Sequence, residues 1–418
     1  MKIIARIFIL VTGVLLLAHY LPSGFWLVAD KPQRVPYVFY SAVENRFLFF
    51  RYGNGEVQRT DAAGKNYDRD EFEQLLPLDN YLQLLRDGRM PKTINNVPIP
   101  IDKLRVERIS LRIKPELLDN PAVALYPLLE AESGRVRLEM PGDFFRLNHT
   151  IEFIDAKSNR INADKSTKFQ SAFAATRFNF PAKIIAGNPS TMKPYDEGYF
   201  ITDSQGAIFH LRQVQEEPEL KRITDVVASG EKARWAALKP RFIQVQEQEN
   251  REVRAMIIEE DGQTHLVIGQ DYRLVTLPLK NYDPAKMQVG VRGDLLNRLV
   301  TVSSDHYVEA MVLNRNYDFV DRYTETLPER KDCAAGKIAG VIFPFTLDFE
   351  DDASGFIGFH FSPGRPIALT VNAVLLLPAL AWVLIRKHGF IKRFPELIAV
   401  ALTGVFGLAM LFLVPKTE

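Results

Sequence analysis

The chain has very little cysteine. Cys333 is the only one in 418 residues, so no intrachain disulfide can form. A large exported domain without disulfides is more typical of a bacterium than of a eukaryotic secretory pathway. Excess charge of one sign is also missing, because 52 basic and 51 acidic residues leave a formal net charge of +1. The composition therefore argues against a disulfide scaffold and predicts no nucleic-acid partner.

Motifs that signal catalysis or cofactor binding are missing as well. The sequence contains no GxSxG, HExxH, P-loop or GxGxxG pattern. Its histidines outside the apolar segments are isolated from one another, and His210 and His265 fall in corresponding strands of two predicted hairpins. Such positions are typical of core residues in a repeat. We therefore predict no catalytic residue, no resident metal and no cofactor.

The first long apolar segment covers residues 7–28 and contains no acidic residue. It follows Lys2 and Arg6 and has roughly the 20 residues that a bilayer core requires. A cleaved signal peptide has the same basic start and apolar run. The segment stays apolar well beyond the poor cleavage site near Ala18, which favours an uncleaved anchor over residues 1–29.

Residues 366–385 and 395–415 predict two further transmembrane helices near the C-terminus. The basic linker between them, residues 386–394, predicts a cytoplasmic position, as does the basic N-terminus. Residues 30–365 would then be extracytoplasmic, and the tail 416–418 would lie outside. Asn372 is expected to bond a neighbouring helix, and Gly404 and Gly407 suggest close packing against a helical partner.

The middle of the chain predicts antiparallel hairpins. Asp-Gly, Asn-Gly or Ser-Ser-Asp turns separate apolar strands in the segments that begin at Arg46, Gly198, Ala255 and Arg298, with a more divergent hairpin near Arg135. The hairpins that begin at Gly198, Ala255 and Arg298 recur at intervals of roughly 45 to 60 residues, which is the range of propeller blades. We predict a mainly β, propeller-like extracytoplasmic domain plus three transmembrane helices. An irregular β-sandwich or two small β-domains are the alternatives.

A helical insert interrupts these strands at residues 69–88. Its leucines and Phe72 follow a helical period. Pro77 is expected to kink the helix or divide it into two, and Gly88 stands where a C-terminal capping glycine belongs.

The most acidic stretch, TLDFEDDASGFIGFHFSPGRP, spans residues 346–366. On a strand, Asp348, Glu350 and Asp352 share one face, which is compatible with a cation site, an exposed acidic face or a protein contact. The stretch ends where the second predicted membrane helix begins, and its aromatic residues suit the headgroup region. We therefore predict a tether to the membrane or a contact for a neighbouring subunit at Asp348, Glu350 and Asp352, with a cation as the second possibility.

Two motifs, LLPLDNYLQLLRDGRMP (residues 75–91) and EGYFITDSQGAIFHLRQV (residues 197–214), together with the C-terminal apolar segments, resemble an uncharacterised bacterial family. Its members are membrane-anchored and are known by a domain of unknown function. The resemblance implies no active-site residues, but it does imply genes that neighbour those of ABC-transporter ATPases and permeases.

The sequence thus predicts a non-enzymatic extracytoplasmic subunit that assists a membrane transport complex of ABC type. Its partners would be the lipid bilayer, an ABC permease and an ATPase, at the bacterial inner membrane with the N-terminus in the cytoplasm. Two other classes stay open. One is a ligand-binding or sensory propeller module, and the other is a propeller-type hydrolase or lyase.

Overall fold

The computed structural model divides the chain into two compact units. Unit 1 comprises Met1–Val35, Tyr52–Glu56 and Thr326–Glu418, and unit 2 comprises Pro36–Arg51 and Val57–Glu325. The structure describes residues 2–29, 34–53, 56–119, 123–135, 137–329, 332–348, 358–361, 365–385 and 393–414.

Long helices occur near the two ends of the chain, and strands dominate the middle. The described helices are α1 (Lys2–Ala29), α2 (Arg69–Leu75), α3 (Tyr81–Arg86), α4 (Pro115–Leu118), α5 (Ala163–Ala175), α6 (Ile223–Val226), α7 (Ser229–Ala237), α8 (Ala334–Ile342), α9 (Arg365–Ile385), α10 (Phe394–Thr403) and α11 (Val405–Leu413). The described strands are β1 (Tyr37–Ser41), β2 (Arg46–Gly53), β3 (Glu56–Asp61), β4 (Thr93–Ile94), β5 (Val97–Pro98), β6 (Ile109–Ile113), β7 (Asp143–Leu147), β8 (Ile151–Asp155), β9 (Ile184–Gly187), β10 (Tyr199–Thr202), β11 (Ile208–Val214), β12 (Glu217–Arg222), β13 (Pro240–Val245), β14 (Val253–Glu259), β15 (Thr264–Ile268), β16 (Arg273–Thr276), β17 (Gln288–Gly293), β18 (Asn297–Ser303), β19 (Tyr307–Asn314), β20 (Phe319–Thr326), β21 (Phe345–Asp348) and β22 (Gly358–Phe361).

The larger sheets follow chain order. Sheet I is β1-β2-β3, sheet II is β9 to β12, sheet III is β13 to β16, and sheet IV is β6 followed by β17 to β20. The predicted hairpins β2–β3, β10–β11, β14–β15 and β18–β19 are confirmed. Their turn chemistry explains them, because Gly206 at φ +89 lets its N–H donate to Asp203 O at 3.0 Å.

The hairpin predicted near Arg135 is misplaced. Its first strand, β7, begins only at Asp143 and pairs with β8 through a turn in which Asn148 N donates to Thr150 O at 3.1 Å. Pro141, which lies just before β7, has no N–H for a strand ladder, and this explains why no strand includes it.

Sheets II, III and IV pack face to face. In β14, Ala255 and Ile257 enter the apolar cluster shared with sheet II, whereas Met256 and Ile258 enter the cluster shared with sheet IV. Neighbouring residues of a strand point to opposite faces, so the unbroken apolar run in this strand reflects burial on both sides. The other face of sheet II packs on α5 and the β7–β8 hairpin.

The prediction of mainly sheets with helical inserts is confirmed. The insert at residues 69–88 forms α2 and α3 on either side of Pro77, and Gly88 follows α3 with φ +66. Asp68 caps α2 in a capping box with Glu71. A closed ring of blades is not present among the residues that the structure describes, where the sheets form an open stack.

Unit 1 contains one described helix that is long and apolar enough to cross a membrane. It covers Ile4–Ala29 of α1, with a mean hydropathy of 2.1, and its composition suits a membrane anchor or a signal sequence. The apolar stretches Thr370–Ile385 and Phe394–Thr403 are shorter, so the two predicted C-terminal spans are not established.

The predicted continuous helix over residues 395–415 is wrong. Gly404, at φ +57, separates α10 from α11, and the chain reverses there. A Cβ on Gly407 would lie 2.3 Å from the backbone carbon of Ala399, so the two helices touch along their length. The hairpin closes where Arg393 Nη1 donates to Val414 O at 3.1 Å.

Asn372 bonds a neighbouring helix, as predicted. Its Nδ2 is 3.5 Å from the carbonyl oxygens of both Ala401 and Leu402, near the break in the hairpin. A Cβ on Gly404 would lie 1.9 Å from Asn372 Oδ1. Both glycines therefore allow close contacts within the chain. Gly404 lies against α9 and Gly407 lies against α10, so the helical partner that the sequence suggested is part of the same chain.

Candidate functional site

The structure describes only part of the predicted contact at Asp348, Glu350 and Asp352. Asp348 is the last residue of β21, where it pairs with Gly358 of β22. Glu350 and Asp352 lie outside the described residues. A subunit contact or cation site at these three positions therefore stays a prediction.

The β21–β22 hairpin on which Asp348 lies packs against the helices of unit 1. Phe345 is buried, and its ring lies 5.0 Å from that of Phe359 and 5.3 Å from that of Phe406 in α11. His19 Nδ1 of α1 donates to Leu347 O at 3.0 Å. Phe359 and Phe361 themselves are exposed. The hairpin thus carries exposed aromatic side chains beside an apolar helix, and their predicted place at the headgroup region stays a prediction.

A buried group of three charged side chains joins the two ends of unit 1. Glu396 Oε1 accepts from Arg6 Nε at 2.6 Å and lies 3.4 Å from Arg393 Nη1. The side chains of Arg6, Glu396 and Arg393 are 9%, 0% and 7% exposed. We call these three residues the Arg–Glu cluster. A carboxylate this deeply buried requires such partners, because an unpaired buried charge is strongly destabilising.

Local structure places each member of the Arg–Glu cluster. Glu396 follows Pro395 in the first turn of α10, where the helix dipole favours a negative charge. Arg6 lies one turn into α1, 390 residues away in the chain. Sequence reasoning missed the pair because each residue lies at the edge of a segment read only for hydropathy. An acidic residue at the start of a predicted membrane helix was the available signal.

Apolar packing joins the same helices. Leu10, Val14 and Ala18 of α1 are buried against Phe406 and Met410 of α11. A Cβ on Gly13 would lie 2.3 Å from Met410 Cε, which shows how closely α1 and α11 approach. The helix α1 is thus a packed element of unit 1, with its own share of the core.

The outer faces of these helices are apolar and exposed. Exposed residues of this kind occur on α1, α9, α10 and α11, and they include Ile4, Phe8, Leu27, Leu377, Leu384, Leu402 and Leu413. Single exposed apolar residues are common on protein surfaces, whereas a grouping of them on neighbouring helices is typical of membrane or protein contacts.

Unit 2 has its own buried charges, which sequence reasoning also missed. They lie where the first two strands of sheets II and III are joined, and they comprise Lys193, Asp196, Glu197, Glu247 and Arg254. We call these five residues the buried charge cluster. Lys193 Nζ donates to Asp196 Oδ1 at 2.5 Å and to Glu247 Oε1 at 2.6 Å. Arg254 donates to Glu197 Oε1.

His210 extends this cluster into the core between sheets II and III. Its Nε2 lies 2.6 Å from Glu197 O, and its Nδ1 lies 2.8 Å from the Tyr272 hydroxyl. A carbonyl oxygen can only accept, so Nε2 carries the proton and Nδ1 accepts from Tyr272. The ring stacks on Phe200 at 4.5 Å. The prediction that His210 is a core histidine is confirmed, and His265 is likewise buried.

The buried charge cluster is enclosed by the sheets. Burial raises the pKa of Asp196, Glu197 and Glu247, and the nearby cations Lys193 and Arg254 oppose that rise. The side chains of Lys193, Asp196 and Glu247 are almost fully buried. The cluster therefore fixes the strand connections between these sheets.

A further ion pair, between Arg298 and Glu252, links these charges to sheet IV. Arg298, which is fully buried, donates from Nε and Nη2 to the two carboxylate oxygens of Glu252 at 2.8 and 2.6 Å. Glu252 O accepts from Gly269 N at 2.9 Å, and Gly269 O accepts from Arg254 Nε at 2.6 Å. Residues that are far apart in the chain thus join the ends of three sheets.

Protonation of His210 should destabilise the protein in acid. Burial lowers its pKa to about 3 from the ordinary 6.5, so the unfolded chain binds a proton that the folded chain excludes. Stability is therefore lost as the pH falls below 6.5, by about 1.4 kcal/mol per pH unit from this residue. We expect the free energy of unfolding of wild type to fall relative to that of His210→Asn between pH 6.5 and 4. Parallel pH profiles of the two proteins would contradict this assignment.

Comparison of the chain with known protein families finds one match. A family model described as a domain of unknown function, DUF4857, matches residues 37–313. The match begins at the first residue of β1 and ends within β19, so it takes in sheets I to III and most of sheet IV. None of the curated proteins compared with the chain matches it.

Proposed function

Since the chain belongs to the DUF4857 family, which is defined by a domain of unknown function, we propose a role for it from its own structure. We propose a membrane-anchored, non-enzymatic subunit that assists a membrane transport complex of ABC type. In this proposal unit 2 is extracytoplasmic, and the helices of unit 1 lie in a bacterial inner membrane with the N-terminus in the cytoplasm.

The packing of α1 carries the proposal. If α1 were removed as a signal peptide, Glu396 would lose its ion pair with Arg6 and keep only the longer approach of Arg393 among the described residues. The apolar core around Phe406 and Met410 would also become exposed. Loss of one partner of a buried carboxylate lowers the stability of the folded protein by several kcal/mol. This favours retention of α1 as an anchor. The exposed apolar faces of α1, α9, α10 and α11 then have lipid as their natural surroundings.

The arrangement of unit 2 supports a propeller-like domain. Sheets II and III are antiparallel meanders of four strands in chain order, as propeller blades are. Their first strands, β9 and β13, contact each other, and apolar clusters fill the space between successive sheets. Successive blades of a propeller pack on one another in this way, so the proposed likeness lies in the stacking of the sheets and not in a closed ring.

The transport partner is proposed from the resemblance of residues 75–91 and 197–214 and from the apolar helical surface, which offers room for an integral membrane protein. In mild detergent, we expect an ABC permease and ATPase to co-purify with the full-length chain. The combined variant Asp348→Asn, Glu350→Asn and Asp352→Asn should lose them while it melts at the wild-type temperature.

A matched variant controls for the removal of negative charge. Glu132→Gln with Glu139→Gln removes exposed carboxylates from unit 2 and should leave the complex intact. A monodisperse wild-type chain without partners would contradict the proposed function. A rise in wild-type melting temperature with calcium, absent in the Asn variant, would instead assign a cation to the acidic segment.

A groove in unit 2 favours a second candidate function, a ligand-binding module. Its volume is about 440 Å³, and its lining residues are Val97, Pro98, Pro100, Lys103, Glu107, Leu295, Leu296 and Arg315. Its lining combines apolar side chains with Lys103, Glu107 and Arg315, and small-molecule sites likewise combine apolar walls with a few polar groups. A ligand that raises the melting temperature of wild type but not of Leu296→Glu would support this candidate.

A further inference from the structure

We infer that the α10–α11 hairpin enters and leaves the bilayer through one face, so that the chain after Val414 lies on the same side of the membrane as the N-terminus. The occupant of its exposed apolar surface is the lipid of a single leaflet. This inference rests on the proposed membrane location of unit 1 and goes beyond it, because it changes the number of crossings.

The lengths of the two helices exclude a crossing by either one. The helix α10 has 10 residues and α11 has 9. At a rise of 1.5 Å per residue they reach about 15 and about 14 Å, roughly half of a hydrocarbon core about 30 Å thick. A straight helix over the same residues would have spanned the core.

The reversal at Gly404 is built by specific contacts. Gly404 has a backbone conformation that other residues rarely adopt, and Gly407 lies directly against the backbone of Ala399. The polar groups at the break have partners within the chain: Asn372 approaches the freed carbonyls, and Thr403 Oγ1 donates to Ala399 O at 2.7 Å. Internal satisfaction of this kind is what a hydrocarbon environment demands.

The Arg–Glu cluster sets the level of the hairpin ends. Arg6, near the start of α1, pairs with Glu396 at the start of α10, and Arg393 donates to Val414 O at the end of α11. The beginning of α1, the beginning of α10 and the end of α11 therefore lie at one level. The apolar helix Ile4–Ala29 leads away from that level over 26 residues, about 39 Å, which is enough to reach the opposite face.

The side chains on the outside of the hairpin fit lipid rather than water. Ile398 and Leu402 of α10 and Phe412 and Leu413 of α11 are exposed and apolar. Ile4 and Phe8 of α1, on either side of Arg6 in the chain, are likewise exposed and apolar. The whole of α9 has 21 residues and reaches about 32 Å, so in this inference it is the second crossing beside α1. The chain then spans the bilayer twice, and the tail that was expected outside lies inside.

Sided cysteine labelling tests this inference in the full-length chain. Cys333→Ser supplies a cysteine-free background, because serine keeps an acceptor for the hydrogen bond that Gly336 N donates to Cys333 Sγ. Single cysteines replace Lys2, Lys387 and Lys416, and a membrane-impermeant maleimide is added to intact cells and to inverted membrane vesicles. We expect all three positions to react in inverted vesicles and to be protected in intact cells by at least tenfold.

A reversed pattern for Lys416→Cys alone would overturn the inference, because it requires a third crossing. Met192→Cys, on an exposed loop of unit 2, reports on the proposed function separately. It should react in intact cells. If it is protected there, the extracytoplasmic placement of unit 2 fails, while the comparison of Lys416→Cys with Lys2→Cys still decides the hairpin.

Discussion

Replacement of Glu396 by leucine should lower the free energy of unfolding by about 3–5 kcal/mol, because it leaves Arg6 and Arg393 buried beside an apolar side chain. The measurement is denaturant or thermal unfolding of the full-length protein in detergent micelles. Glu139→Leu is the control. Its carboxylate is exposed and paired with Arg135 at 3.1 Å, so its loss should change stability by less than about 0.5 kcal/mol.

A combined variant separates charge from shape. Arg6→Met, Glu396→Met and Arg393→Met together remove the whole Arg–Glu cluster and leave no unpaired charge. Buried ion pairs replaced by apolar side chains of similar volume are often neutral in stability. The triple variant should therefore recover most of the stability lost in Glu396→Leu. If Glu396→Leu is no less stable than Glu139→Leu, the Arg–Glu cluster does not hold the ends of unit 1 together.

The second large effect is expected at Lys193. Lys193→Met leaves Asp196 and Glu247 buried without their shared cation and should destabilise the protein by about 3–5 kcal/mol. Lys286→Met is the matched control, because Lys286 pairs with Asp283 at 2.8 Å on the exposed surface. The control should melt at the wild-type temperature.

Acid should partly rescue Lys193→Met. Without the ammonium group, the pKa of the buried Asp196 and Glu247 carboxyls rises further above its ordinary value. A group whose pKa is raised by folding stabilises the folded state at low pH and loses that contribution as the pH rises through the folded pKa. The stability gap between Lys193→Met and wild type should therefore narrow from pH 7 to pH 4.5. A gap that widens in acid would rule out buried carboxylates as the cause.

Local sequence chemistry was sufficient for the hairpins and for the helical insert. The turn at Asp203–Gly206 and the break at Pro77 depend on residues within a few positions of each other, so both could be predicted. The stacking of sheets II, III and IV depends on which apolar face meets which, and periodicity within one strand does not contain that information. The number of blades and the open arrangement therefore could not be predicted.

The prediction of one continuous helix over residues 395–415 was wrong for a similar reason. Hydropathy counts length and composition, and residues 395–415 satisfy both measures. The reversal depends on Gly404 lying against Asn372, which is 32 positions away, and on the pairing of Arg6 with Glu396. A positive charge in one apolar segment and a negative charge in another form a pair only once the fold is known.

The buried charge cluster was equally hidden. Lys193 and Glu247 are 54 residues apart, and neither belongs to a recognised motif. His210 was predictable as a core residue because its position recurs in the hairpin that contains His265. The acidic stretch at residues 348–352 attracted attention by composition alone, whereas the charges that the fold buries are dispersed along the chain.

The most direct test of the account of unit 1 is the distance between the two ends of the α10–α11 hairpin. Phe394→Cys and Leu413→Cys, two exposed positions, are introduced into the Cys333→Ser protein and spin-labelled. The distance between the two labels is measured in liposomes by electron paramagnetic resonance. A hairpin predicts a separation close to one helix–helix spacing, about 10 Å between axes. A separation of roughly 28 Å, the length of a straight helix over these residues, would contradict the reversal at Gly404 and the membrane topology built on it.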